Sequence, residues 1–186
     1  MDSRHPNLII GGSPKCGSSS IFYWLSTHPE ICASSVKETG FLLDTIQTYN
    51  ASANYLTQGI DGYSQFFDHW KGEKILMEAT PEYLIQQKIP FDAFQEMEQY
   101  PKVLFIFRKP SNRIYSAYKF HKYTTKKISS EINFSDYLKT DHGKHMIEIS
   151  RYVKHLLPWI DFLGKDGVHV CLFEDLKANP QLTLEK

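Results

Sequence analysis

One stretch constrains this chain more than any other. The apolar run Leu8, Ile9, Ile10 leads into "GGSPKCG" (residues 11–17) and then into "SSSIFYWL" (residues 18–25). A buried strand that breaks at glycine and reopens as a helix is the first half of a βα unit. Gly12 and Gly17 have the spacing of a G-x-x-x-x-G-K-[ST] phosphate loop, yet position 18 is serine and the lysine sits inside the loop as Lys15. The glycines let the backbone turn tightly and approach an anion closely. A helix opened by Ser18, Ser19 and Ser20 aims its first N–H groups at that anion. The plainer alternative is a Gly/Ser turn without a ligand. The strand–loop–helix context favours the anion site.

The rest of the chain repeats the alternation. Residues 74–80, 102–108 and 168–175 read as further strands, and "VLFIF" (103–107) has the continuous apolar run of a strand covered on both faces. Residues 111–123 have a helical period, with Ser111 as the expected N-cap. Residues 148–164 read as one amphipathic helix bent at Pro158, and residues 179–186 as the start of another. Residues 39–73 are less regular and read as an insertion over the sheet's edge or its active face. The expected fold is α/β: three layers, α/β/α, around a mostly parallel sheet, in a single domain over residues 1–186. Ligands in such folds sit at the carboxyl ends of the strands, where the loop, Glu78, Arg108 and Glu174 would all fall.

Those strand ends suggest a chemistry. No Walker B pattern, an apolar strand ending in the aspartate that holds magnesium in a nucleotide hydrolase, follows the loop: residues 102–108 end in Arg108 and residues 74–78 in Glu78. Arg108, with Ser116 two helical turns further on, offers a guanidinium fork and a hydroxyl to a second phosphate. Taken alone, Arg108 reads as a surface ion pair, and only the loop tips the balance. Glu38, in "SSVKETGFL", could take a proton from an acceptor hydroxyl; on the residues alone, a solvated Lys37–Glu38 pair is the better reading. Lysines 119, 122, 126 and 127 read as a solvated face, with an anionic acceptor as the alternative. His121, His142, His145 and His155 show no ligand spacing and read as structural or surface residues. Cys16 reads as a small residue filling a tight turn, with a reactive thiol as the alternative.

Bulk properties narrow the partners. Lys plus Arg and Asp plus Glu both number 21, so a general nucleic-acid binder is disfavoured and any anion must be gripped locally. Three scattered cysteines support neither a zinc site nor a disulfide framework. No apolar run approaches the ~20 residues of a membrane span. A soluble, cytoplasmic protein is the simplest expectation. The triplets Asn50-Ala51-Ser52 and Asn133-Phe134-Ser135 keep the Golgi lumen open for a chain whose anchor has been removed.

In this order the segments resemble the sulfotransferases that use 3′-phosphoadenosine 5′-phosphosulfate (PAPS), in the branch of the heparan sulfate and related carbohydrate enzymes. "PKCGSSSIFYWLSTHPEI" is similar to the family's 5′-phosphosulfate loop, "KETGFL" to its catalytic-glutamate segment and "MEATPEYL" to its E-K-[ST]-P-x-Y segment. "FRKPSNRIYSAY" matches the 3′-phosphate motif R-x-P-x-x-R-x-x-S-x-Y at every fixed position, and "LFEDLKANP" resembles a later strand. The resemblance implies sulfuryl transfer from PAPS to a hydroxyl or amine, with carbohydrate the favoured acceptor, and with no metal. It places Lys15 at the bridging oxygen and Glu38 as general base. Lys15, Cys16, Gly17, Ser18, Ser19 and Ser20 would hold the 5′-phosphosulfate, and Arg108 and Ser116 the 3′-phosphate. Two departures stand out. Ala79 replaces a lysine, and the family's glycine- and lysine-containing loop that closes over the nucleotide would lie beyond Glu174, where this chain ends at Lys186. The rival expectations are a non-catalytic module binding PAPS or its product PAP and, further off, a nucleotide kinase.

Overall fold

A computed structural model describes residues 4–180. Five strands form one sheet: β1 (Leu8–Gly12), β2 (Ile31–Ala33), β3 (Ile75–Ala79), β4 (Lys102–Phe107) and β5 (Val168–Leu172). Their order is β2-β3-β1-β4-β5 and every pairing is parallel. From β1 the chain goes to one side through β2 and β3, then crosses to the other side for β4 and β5. The strand order therefore reverses between β1 and β4, and the crevice beyond their carboxyl ends is the natural ligand position.

Eight α-helices accompany the sheet: α1 (Ser18–Leu25), α2 (Tyr55–Gln58), α3 (Lys88–Phe94), α4 (Pro110–Lys119), α5 (Phe134–Tyr137), α6 (Asp141–Ile149), α7 (Tyr152–Leu163) and α8 (Phe173–Ala178). Side-chain alternation splits the sheet between two cores. Ile10, Met77 and Ile106 face Ile21, Phe22 and Leu176 of α1 and α8. Ile9, Val103, Phe105 and Phe107 face the larger core, which takes in Phe94, Ala117, Tyr137, Met146 and Trp159 from α3 to α7. Trp159 is fully buried, with its ring 5.4 Å from Phe105 and 4.9 Å from Phe91. The three expected layers are therefore present.

Four details depart from the sequence reading. Strand β2 was not anticipated: it has three residues, too short for a periodic signal, and exists through its pairing with β3. Residues 39–73 are not a mere cover, because Phe41, Leu42, Leu43, Tyr63 and Phe67 belong to the larger core. The helical run at 148–164 is interrupted at Ser150–Arg151 rather than bent at Pro158, which lies inside α7. There Ser150 Oγ donates to the Met146 carbonyl (2.9 Å) and accepts from Arg113, a competition that ends helices. Helix α4 begins at Pro110, whose fixed φ and missing N–H suit a first position, so Ser111 is not its cap. The helix expected from residue 179 lies almost wholly outside the described residues.

Of the two glycosylation triplets, Asn50 is buried and donates to the Gly40 carbonyl (2.7 Å), so its amide is engaged in the fold. Asn133 is exposed and caps α5, accepting from Asp136 N (3.0 Å). Among the described residues no helix is long and apolar enough to cross a membrane.

Candidate active site

The loop after β1 turns at Gly17, which has φ 95° and precedes α1. A Cβ there would lie 2.7 Å from the Phe173 ring, so both the conformation and the space demand glycine. Ser19 and Ser20 are exposed at the helix start, leaving its first N–H groups facing a cavity. Lys15 has φ 67°, a left-handed conformation that costs a non-glycine residue energy. Its ammonium lies 3.6 Å from the centre of the Phe120 ring, and burial pulls its pKa below the usual lysine value.

Across the crevice, Arg108 follows β4. Its guanidinium lies over Phe173 at 4.6 Å, and its Nε is buried without a protein partner. A buried donor left unmatched beside a cavity points to a ligand acceptor. Glu174 accepts from Lys109 N (3.1 Å), tying the end of β4 to α8.

Arg113, the second arginine of the R-x-P-x-x-R motif, is fully buried and does not line the cavity. It donates to Ser150 Oγ (3.1 Å from Nε), to the Pro14 carbonyl (3.2 Å) and to the Met146 carbonyl. It therefore fastens the loop after β1 to α6. Burial lowers its pKa, and carbonyl dipoles replace the lost hydration.

Glu38 arrives differently. Residues 38–42 are laid along the end of β3: Glu38 N donates to the Ala79 carbonyl (2.8 Å), Gly40 N to Thr80 Oγ1 (3.1 Å) and Leu42 N to Tyr83 Oη (3.1 Å). Glu78 anchors this seam. It is fully buried and accepts from Thr39 Oγ1 (2.9 Å) and from Thr80 Oγ1, while its Oε2 has no partner. Burial pushes its carboxyl up to about 7. Glu38 itself has φ 62° and pairs with Lys37. The pair foreseen from the sequence is therefore formed, but it is not simply solvated: the Lys37 side chain is 9% exposed and that of Glu38 49%.

One cavity of about 660 Å³ collects these groups. Lys15, Gly17, Ser18, Ser19, Ser20, Glu38, Arg108 and Ser116 all line it. Cys16 is not among its lining residues. Its side chain is buried in the smaller core with Sγ 3.8 Å from Tyr152 Oη, and its N–H donates to the Ser13 carbonyl. Burial pushes the thiol up, so the turn-filling reading stands over the reactive one. Sequence reasoning missed Glu82, which lines the cavity with its carboxyl raised by burial and by Glu38. It also set aside His121, His142, His145 and Lys127, which line it too. No local spacing marked them, because they converge only through packing.

A parallel sheet, a glycine-turned loop at its switch point and a helix N-terminus beside an unmatched arginine define a P-loop-like α/β domain with groups suited to an anion. The comparisons narrow this class. The model of the sulfotransferase domain family matches residues 5–186, and the chain belongs to that family. Human bifunctional heparan sulfate N-deacetylase/N-sulfotransferase 2 is 24% identical over 193 residues, covering 98% of this chain and 21% of that protein. Human heparan sulfate glucosamine 3-O-sulfotransferase 5 is 25% identical over 190 residues, covering 94% of this chain and 50% of that protein. The chain thus spans half or less of the length of these curated relatives. The crystal structure of a sulfotransferase from Alicyclobacillus acidocaldarius superposes with a TM-score of 0.80 at 25% identity, over 97% of this chain and 78% of that one.

Proposed function

We propose that residues 1–186 act as one sulfotransferase domain that moves a sulfuryl group from PAPS to a hydroxyl or amine, with a carbohydrate as the acceptor. One observation carries this reading: groups suited to two phosphates, a lysine and a carboxylate, drawn from four separate segments, line a single cavity. PAPS, as donor substrate, supplies an activated sulfuryl group on a good leaving phosphate.

The residues present fit such a substrate. The helix α1 N-terminus with Ser18, Ser19 and Ser20 would take the 5′-phosphate. The unmatched Nε of Arg108, with Ser116, would take the 3′-phosphate. Lys15 would place its charge where negative charge grows on the leaving oxygen, inside a partly buried site where that charge is weakly screened. Glu38 would accept the acceptor's proton, held in place by the seam to β3. Heparan sulfate in the names of the two relatives supports a carbohydrate acceptor.

Calorimetry with PAP and with ATP tests the donor half: PAP should bind and ATP bind far more weakly. ATP binding without PAP binding would sink the reading. Transfer of labelled sulfate from PAPS to a panel of amino sugars, phenols and lipids tests the other half, with the sugars expected to be labelled.

A further inference from the structure

The proposed reaction uses groups that line the cavity. One titratable group buried behind them has no part in it. Strand β3 alternates, so that Met77 and Ala79 enter the smaller core while Leu76 enters the larger one, and Glu78 points to the same side as Leu76. Glu78 is fully buried there, where a carboxylate is costly unless it is paired or protonated. Its Oε1 accepts from Thr39 Oγ1 (2.9 Å) and from Thr80 Oγ1. Thr39 Oγ1 in turn accepts from Phe41 N (3.2 Å), and Thr80 Oγ1 accepts from Gly40 N (3.1 Å). Both links from Oε1 therefore end on the backbone that immediately follows Glu38. Gly40, at φ 61°, also lies so close to Tyr49 that a Cβ would come within 2.5 Å of its ring. The Glu38 loop is thus clamped between Tyr49 and Glu78.

The other oxygen is orphaned. Among the described residues Glu78 Oε2 has no hydrogen-bond partner, and neither has Tyr63 Oη, which is fully buried and faces the same cluster. A proton on Oε2 suits this arrangement, because a neutral carboxyl can donate to the tyrosine oxygen. Burial raises the Glu78 carboxyl to about 7, against the Thr80, Thr39 and Tyr63 hydroxyls and the Lys37 charge, all of which favour its ionised form. The other acids facing it are Tyr63, Tyr83 and Tyr49. Burial pushes each of them up, Tyr49 to about 12, so they stay protonated near neutrality. Among these acids, Glu78 is the one that changes charge near neutral pH. Once ionised, it regains full hydration only if the loop above it lifts away, so its proton favours the closed loop.

We propose that Glu78 is a positioning residue for Glu38: with its proton in place it fixes residues 38–41 against the end of β3, and when the proton leaves it loosens them. This latch belongs to the fold. Its use in catalysis rests on the sulfotransferase reading, in which Glu38 is the base.

Amide hydrogen exchange on the full chain tests the latch without any substrate. Corrected for intrinsic exchange, the protection of the Gly40 and Phe41 amides in the native chain should fall roughly tenfold or more between about pH 5 and about pH 8. Glu78→Gln keeps an acceptor for Thr39 and Thr80 but cannot ionise, so its protection should stay high at both pH values. Glu78→Ala should be weakly protected at both; if it does not fold, the Gln variant decides alone. Transfer of labelled sulfate from PAPS to glucosamine supplies the second readout. Between about pH 6 and about pH 8 the native kcat should fall about threefold relative to that of the Gln variant, with KM for PAPS the same in both. The proposal is overturned if protection in the Gln variant follows the native pH dependence, or if the native chain shows no fall in protection. It is overturned as well if the two kcat profiles coincide, or if the change falls on KM for PAPS instead. No transfer by the native chain to any amino sugar would remove the sulfotransferase reading, while the exchange data would still decide the latch.

Discussion

The two halves of the cavity are built on different principles. The half proposed to hold the nucleotide lies at the ends of β1 and β4 and offers largely backbone: a left-handed loop, a helix N-terminus, and one guanidinium with a buried unmatched Nε. The other half is a collection of side chains, Glu38, Glu82, Lys127, His121, His142 and His145, brought in by segments that are up to 107 residues apart in the chain. A backbone-built anion site demands particular residues at fixed spacing, because only glycine fits at Gly17 and only a helix start can follow. A side-chain wall makes no such local demand. It is set by how α4, α5 and α6 pack.

Arg113 binds both halves together through buried hydrogen bonds, so its loss is expected to have the largest effect. Arg113→Ala would strip the donor from the part-buried Pro14 carbonyl, at about 1–3 kcal/mol, leave the Met146 carbonyl to Ser150 Oγ alone, and empty a buried arginine site. A total destabilisation on the order of 3–5 kcal/mol should follow in urea unfolding. A stable variant that still binds PAP normally would mean the halves do not depend on this tie.

Lys15→Ala addresses the nucleotide half alone. The expected result is a fall of about 10²–10³ in kcat with an unchanged unfolding midpoint, measured by labelled-sulfate transfer and urea titration. A comparable fall in stability would mean that Lys15 acts through its stacking on Phe120 instead. Arg108→Ala should weaken PAP roughly 10- to 100-fold and leave adenosine 5′-phosphosulfate, which lacks the 3′-phosphate, nearly untouched. Equal losses for both ligands would remove the 3′-phosphate assignment.

The smallest effect belongs to the seam that delivers Glu38. Glu78 has its carboxyl raised from 4.5 to about 7, so in the pH range between those values the folded chain holds a proton that the unfolded chain has released. Its contribution is therefore complete below the unfolded value and is lost as pH rises through about 7. Glu78→Gln keeps an acceptor for Thr39 and Thr80 but does not titrate. Its unfolding free energy should match the native chain near about pH 4.5 and exceed it at about pH 8. The histidine wall has the opposite sign. His121 and His145 have lowered folded-state values, so their contribution is present above 6.5 and is lost as pH falls through the depressed values. A Glu78→Gln variant whose stability follows the same pH dependence as the native chain would contradict the Glu78 assignment.

What the residues announced and what they hid follow this division. The strand–loop–helix at 8–25 was readable because a buried strand, two spaced glycines and a serine-rich helix start are each local signals. The β4 strand and the R-x-P-x-x-R-x-x-S-x-Y segment were readable for the same reason, together with the layered α/β class. Strand β2 was not, since three residues have no period and gain their form from β3. The direction of the Cys16 side chain was not readable, because sequence order cannot say which way a loop side chain turns; with Lys15 and Gly17 at positive φ it lies in the smaller core. Local chemistry by itself determined the loop end of the cavity, where backbone geometry dictates residue type. Only the tertiary structure decided that Arg113 is a strut rather than a ligand, that Glu78 supports the Glu38 loop, and that three histidines set aside as surface residues converge on the cavity. Those outcomes depend on packing between distant segments, which no local pattern encodes.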